Sequence, residues 1–78
     1  MEIIIFASPA SAFDIVVGDD SGLAVSSTTA FPYDTIPVIE DIMNFHDIKQ
    51  IRIKGPRLYI ERIAKELETV FDIPVIQV

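Results

Sequence analysis

The residues best suited to chemistry in this chain are its six bases, which all lie between Lys49 and Lys65. Free backbone N–H groups where a helix begins attract phosphate, and Lys or Arg side chains would add positive charge. An anion site at this point would use Arg52, Lys54, Gly55 and Arg57. No glycine-rich phosphate loop accompanies them. We therefore favour surface bases, with Arg57 paired to Glu61 and Arg62 paired to Glu66 at helical spacing, over an anion site.

Other reactive residue types give weaker candidates. The stretch Gly18–Gly22 (GDDSG) lacks the spaced ligands of a calcium loop and is interpreted as a hairpin turn. The single histidine, His46, falls late in a helix, where a partly buried or C-capping role is favoured over a general base. The hydroxyls of Ser26–Thr29 have no base beside them in sequence. The sequence therefore predicts no catalytic residue, no bound metal and no cofactor.

The charges are unevenly distributed along the chain. Residues 1–48 carry eight acids and no base, and residues 49–78 carry six bases and four acids, so that −8 and +2 give the net −6. This balance disfavours general nucleic-acid binding, and base stacking on Tyr33 or Tyr59 is disfavoured with it. The acidic half could instead mimic nucleic acid and inhibit a host protein, although a solvated acidic surface is the commoner arrangement.

Length and composition indicate one small domain. The chain has 78 residues, half of them apolar, and no cysteine. It is too apolar for disorder, and disulfides and thiolate metal sites are excluded. No apolar run approaches the roughly 20 residues of a membrane span, and the MEIIIFAS start lacks the basic segment of a secretory signal. We expect a cytoplasmic protein that does not associate with membranes.

The elements that position these residues follow from hydrophobic periodicity. Strands are predicted over residues 2–7, 13–17, 23–31, 51–54 and 73–78. One helix is predicted to begin at an Asp34 or Thr35 cap with Pro37 in its first turn, and a second spans Arg57–Phe71. Right-handed crossovers then give an α/β domain of order β-β-β-α-β-α-β. We expect a mixed five-stranded sheet, order 3-2-1-4-5, with both helices on one face.

This element order resembles the minimal ribonuclease H-like unit, which the actin-like ATPases share. The resemblance covers residues 1–78 as a single domain. The stretch IIIFASPASAFDIVVGDDSGLAVSSTTAFP is similar to the opening hairpin of sugar-kinase-type ATPases, and IRIKGPRLYIERIAKELETVFDIPVIQV to a later strand–helix–strand unit. The resemblance implies acids in the first strand and near the fourth, where this chain has Ile3–Ala7 and Lys54-Gly55-Pro56. It therefore implies a degenerate member without the inherited carboxylate site.

Two helices can cover only one face of the sheet, so the other face stays open. Strand alternation predicts an apolar strip on that open face, made of Ile4, Phe6, Ile76 and Val78. The terminal strand also predicts an unprotected sheet edge. We predict a non-catalytic protein–protein interaction or assembly module that forms a homo-oligomer or binds an unknown protein partner. Its size is compatible with a small phage or mobile-element accessory protein. The alternatives are an anion or nucleic-acid binder that uses residues 49–65, an acidic nucleic-acid mimic, and an enzyme with an unorthodox site.

Overall fold

A computed structural model describes residues 1–78 and confirms the α/β architecture with its five-stranded sheet. The strands and helices, in chain order, are β1 (Glu2–Phe6), β2 (Phe13–Gly18), β3 (Ala24–Ala30), α1 (Thr35–Phe45), β4 (Gln50–Lys54), α2 (Arg57–Phe71) and β5 (Val75–Gln77). A single 3-10 turn, Pro32–Asp34, precedes α1. The strand order is β3-β2-β1-β4-β5, as expected.

The sheet is mixed because a hairpin is followed by two crossovers. β2 is antiparallel to both β1 and β3, whereas β4 is parallel to β1 and β5 is parallel to β4. The β2–β3 turn depends on Asp19, whose Oδ1 accepts hydrogen bonds from the backbone N–H of Ser21 at 3.0 Å and of Leu23 at 2.9 Å. Gly22 has φ +89°, a conformation that side chains disfavour.

Strand alternation places the core on one face of the sheet. Ile3 and Ile5 of β1 are fully buried, as are the residues at matching register on the neighbouring strands. The strand members of this core are Ile3, Ile5, Phe13, Ile15, Val17, Ala30, Ile51 and Ile53, and the helices add Ile39, Ile60, Ala64 and Leu67. Each large side chain contributes roughly 1.5–3 kcal/mol by burial, so α1 and α2 are held on this face.

The helix ends differ in detail from the expectation. Asp34 is the N-cap of α1, but its backbone lies in the helical region (φ −103°, ψ 0°), and its side chain makes no capping hydrogen bond. The Thr35 hydroxyl instead donates to the Phe31 carbonyl at 3.2 Å. Helix α2 ends at Asp72, which adopts the left-handed conformation with φ 53°. Neither helix has the combination of length and apolar character needed to cross a bilayer.

Candidate interaction surface

The face of the sheet opposite the helices is here called the open face. Strand register arranges its side chains in parallel rows that run across the sheet, and two of these rows contain the apolar residues. The Phe6 row contains Thr29, Asp14, Phe6 and Lys54. The Ile4 row contains Ser27, Val16, Ile4, Arg52 and Ile76. Val78, two residues beyond Ile76, donates its backbone N–H to the Ile53 carbonyl at 2.9 Å and so stays beside β4.

Apolar side chains remain accessible on the open face. Phe6 is 42% exposed, Ile76 is 41% exposed and Val78 is 62% exposed, while Ile4 is half-buried. Val16, which the sequence analysis did not single out, is half-buried beside Ile4 and extends the apolar centre toward β2. Ile4, Phe6 and Ile76 thus lie on the face that alternation indicated, and their role as an interface stays a prediction.

The apolar strip is not continuous, because β4 lies between β1 and β5. Arg52 stands between Ile4 and Ile76 in the Ile4 row. Lys54 stands next to Phe6 in the second row, with its Nζ 5.7 Å from the centre of the Phe6 ring. At that distance the ammonium attracts the face of the ring. The open face is therefore an apolar centre with charged side chains beside it.

Both bases of β4 are directed toward β1. Arg52 Nε lies 3.5 Å from Oε2 of Glu2, and the same carboxylate oxygen accepts a hydrogen bond from Gln50 Nε2 at 2.6 Å. A partly exposed ion pair of this kind contributes at most about 1 kcal/mol. These contacts fix where the positive charge lies, on the β4 side of the apolar centre.

A shallow depression of about 610 Å³ occupies the β2–β3 side of the open face. It forms because β3 presents the small side chains of Ser27 and Thr29 there, next to the larger Val16 and Phe6. Asp14 also lines it and carries negative charge on the side opposite Lys54. The sequence analysis did not identify Asp14 as part of this surface. Its position between the apolar residues Phe13 and Ile15 is the signal that places it on the open face.

The residues of the candidate anion site lie on both sides of the sheet. Arg52 and Lys54 lie on the open face, whereas Arg57 is exposed at the first turn of α2, which packs on the other face. None of the five main surface pockets is lined by these two residues, by Gly55 or by Arg57. A β-carbon on Gly55 would lie 2.6 Å from the Ala7 carbonyl oxygen. Close backbone packing thus explains this glycine.

The ion pairs expected along α2 are absent. The three ion pairs of the structure join Asp20 to the N-terminal ammonium, Asp47 to Lys49 and Glu2 to Arg52. The predicted pairs between Arg57 and Glu61 and between Arg62 and Glu66 were therefore wrong. All four of those side chains are exposed. Exposed helix pairs at this spacing contribute only about 0.3–0.5 kcal/mol, which hardly restrains long side chains.

The remaining candidates have local structural roles. The Ser21 hydroxyl donates to Asp19 Oδ1 at 2.7 Å, and together with the Leu23 backbone N–H it lowers the pKa of Asp19. His46 is half-buried and is the C-cap of α1, where its backbone N–H donates to the Ile42 carbonyl. No group of three or more His, Asp or Glu side chains is placed to hold a metal ion.

Comparisons of the chain with protein-family models, with curated proteins and with solved structures gave no match. The element order and strand order are those on which the resemblance to the ribonuclease H-like superfamily was based. Kinship to that superfamily stays a prediction, because an order of strands can be shared without common descent.

Proposed function

We propose that this protein is a non-catalytic assembly module that forms a homodimer through the open face of its sheet. The observation that carries the proposal is the order of side chains in the Phe6 row. Asp14 lies on one side of Phe6 and Lys54 lies on the other, each one strand away. A surface with opposite charges at equal distances from an apolar centre is complementary to a second copy of itself.

The symmetry of such a dimer follows from strand order. In a two-fold dimer each contact occurs twice. An axis that runs along β1, between two stacked open faces, would bring β2 of one copy over β4 of the other. Asp14 would then face the partner's Lys54, and Phe6 would face the partner's Phe6. Stacked sheets lie about 10 Å apart and are rotated by about 30°, so pairs near the axis would stay in contact.

The shape of the open face supports the same arrangement. The axis along β1 brings β3 of one copy over β5 of the other. The depression beside Ser27 and Thr29 would then receive the partner's Ile76 and Val78, which are the most exposed apolar side chains at the β5 side of the face. Small side chains would thus face protruding ones, as close packing requires.

The dimensions of the molecule are also compatible with this interface. A stable interface buries about 800 Å² on each partner. The molecule measures 29 × 23 × 22 Å, so one whole face supplies an area of that order. A 78-residue chain has a thin core, and burial of Ile4, Phe6 and Val16 by a partner would add apolar burial that the monomer lacks.

A charge exchange between Asp14 and Lys54 tests the proposal. Asp14→Lys places two bases opposite each other twice in the dimer, and Lys54→Asp does the same with two acids. Each single variant should weaken dimerisation by about tenfold, because two exposed pairs change from attraction to repulsion. The double variant restores opposite charges and should return the dissociation constant to within about threefold of the original. Sedimentation equilibrium gives these constants.

Two results would count against the proposal. If the protein sediments as a monomer at about 100 μM, a weak but specific homodimer is excluded. If the protein forms a dimer but the double variant dimerises no more tightly than the single variants, the two copies do not meet across the open face in this register. Glu40→Lys on α1, outside the open face, serves as a control for changed net charge.

A further inference from the structure

β3 is an unprotected edge of the sheet. Its seven residues, Ala24–Ala30, pair with β2 alone, and all of them except Ala30 are exposed. The strand contains no charged residue and no proline, which are the usual means of preventing an edge from pairing with another chain. The opposite edge, β5, has only three residues. β3 therefore offers the longer row of free backbone N–H and C=O groups.

The helix side of β3 borders a groove. Ser26 and Thr28 share a face with the buried Val17 and Ile15 but are themselves exposed. The space between β3 and α1 forms a groove of about 660 Å³. Its apolar lining comes mainly from β2 and α1, through Ile15, Val17, Pro37, Val38 and Ile42, and Ala12, Ala30 and Phe31 complete it. If a strand were added beside β3, its side chains on the helix face could extend past Ser26 and Thr28 into this groove.

The charge of the groove indicates the chemistry of its occupant. Asp34 and Asp41 line it, and residues 1–48, which include β2, β3 and α1, contain no Lys or Arg. A second copy that presented its own β3 would bring the same acids and no base. Lys or Arg side chains on the groove-facing side of an added strand would complement Asp34 and Asp41, and their aliphatic stems would cover the apolar lining. The apolar side chains that alternate with them would lie on the other face of the sheet, next to Ser27 and Thr29.

We infer that the β3 edge binds an extended segment of a partner protein, with alternating basic and apolar residues, as a sixth strand of the sheet. Backbone hydrogen bonds to β3 supply affinity, and the groove supplies selectivity for basic side chains through Asp34 and Asp41. Asp34 and Asp41 lie on the helix side of the sheet, away from the open-face dimer, whereas Ser27 and Thr29 of β3 line both the groove and the open-face depression. The β3 site does not depend on the proposed function.

Blocked peptides of about eight residues, close to the length of β3, test this inference. The probe alternates lysine and valine. One control peptide has glutamate in place of lysine, and another keeps every lysine but has proline in place of the interior valines. Only the first should bind, because proline removes backbone donors without changing the charge. Binding is measured by fluorescence anisotropy at physiological salt, and amide shifts in an ¹⁵N spectrum should concentrate at residues 24–30.

Two neighbouring acids of α1 provide matched variants. Asp41 lines the groove, whereas the adjacent Glu40 is exposed but does not line it. Asp41→Lys should weaken binding of the lysine–valine peptide by about tenfold, and Glu40→Lys by less than about twofold. If the two variants weakened binding equally, or if the proline peptide bound as tightly as the lysine–valine peptide, binding would reflect general attraction between opposite charges. Either result would overturn the proposed site. Absence of binding at about 1 mM would overturn it as well.

Discussion

At the scale of single residues, Gly55 shows how closely β4 and β1 approach where the chain enters α2. The backbone N–H of Ala7 donates to the Lys54 carbonyl at 2.8 Å, which fixes the Ala7 peptide next to Gly55. A β-carbon on Gly55 would lie 2.6 Å from the Ala7 oxygen and 2.8 Å from Cγ2 of Ile60. The oxygen belongs to backbone and the isoleucine is in the core, so neither can move away without disturbing its neighbours.

Gly55→Ala should therefore destabilise the protein by about 2 kcal/mol, the usual cost of overpacking a close contact. Gly18→Ala is the matched control, because a β-carbon there would meet only ordinary contacts at 3.9 Å. Urea unfolding of both variants measures the difference in the free energy of unfolding. Equal stability of the two variants would show that the β4–α2 connection adjusts freely to a side chain.

At the scale of elements, the β2–β3 turn is stabilised by a single carboxylate. Asp19 accepts hydrogen bonds from the Ser21 hydroxyl and from two backbone N–H groups of the turn. These bonds lower the pKa of Asp19 from its ordinary value of 3.8. Because the pKa of Asp19 is lower in the folded protein than in the unfolded chain, the ionised carboxylate stabilises the fold above pH 3.8. This contribution is lost as the pH falls through the folded-state pKa.

Asp19→Ala should lower the thermal midpoint at neutral pH, and the difference from the original protein should shrink as the pH falls below 3.8. Asp34→Ala removes an exposed acid that makes no hydrogen bond to the turn, and so controls for the loss of one charge. Thermal unfolding between pH 7 and pH 2.5 measures both variants. A midpoint difference for Asp19→Ala that persists unchanged at the lowest pH would contradict the assigned role of the carboxylate.

The elements also show how far sequence reasoning reaches. Alternation in β1 and β4 correctly separated Ile3 and Ile5 from Ile4 and Phe6, because side-chain direction in a strand depends only on local geometry. The neighbours of Phe6 could not be foreseen, because the contact with Lys54 depends on a register between segments 48 residues apart. The expected capping hydrogen bond from the Asp34 side chain is absent for a local reason. Asp34 adopts helical dihedrals after a 3-10 turn, so its carboxylate does not cap the helix.

At the scale of the whole molecule, charge and apolar surface are divided among three sides of one sheet. The helix face buries the core, the open face presents an apolar centre between Asp14 and Lys54, and the β3 edge carries the acidic groove. Two partners could therefore bind at once, a second copy on the open face and a basic strand at the edge. If both sites exist, a variant that removes one should leave the other intact.

Phe6→Ser tests this independence together with the homodimer. When folding is coupled to association, the thermal midpoint rises with protein concentration. The original protein should show that rise over a hundredfold range of concentration, and Phe6→Ser should lose it, because the side chain at the centre of the proposed interface is gone. Phe45→Ser is the matched control, since Phe45 is 77% exposed at the end of α1, away from the open face.

Both variants should bind the lysine–valine peptide as the original protein does. A midpoint independent of concentration in all three proteins would contradict the homodimer, whereas loss of peptide binding in Phe6→Ser alone would place that peptide on the open face instead of the β3 edge.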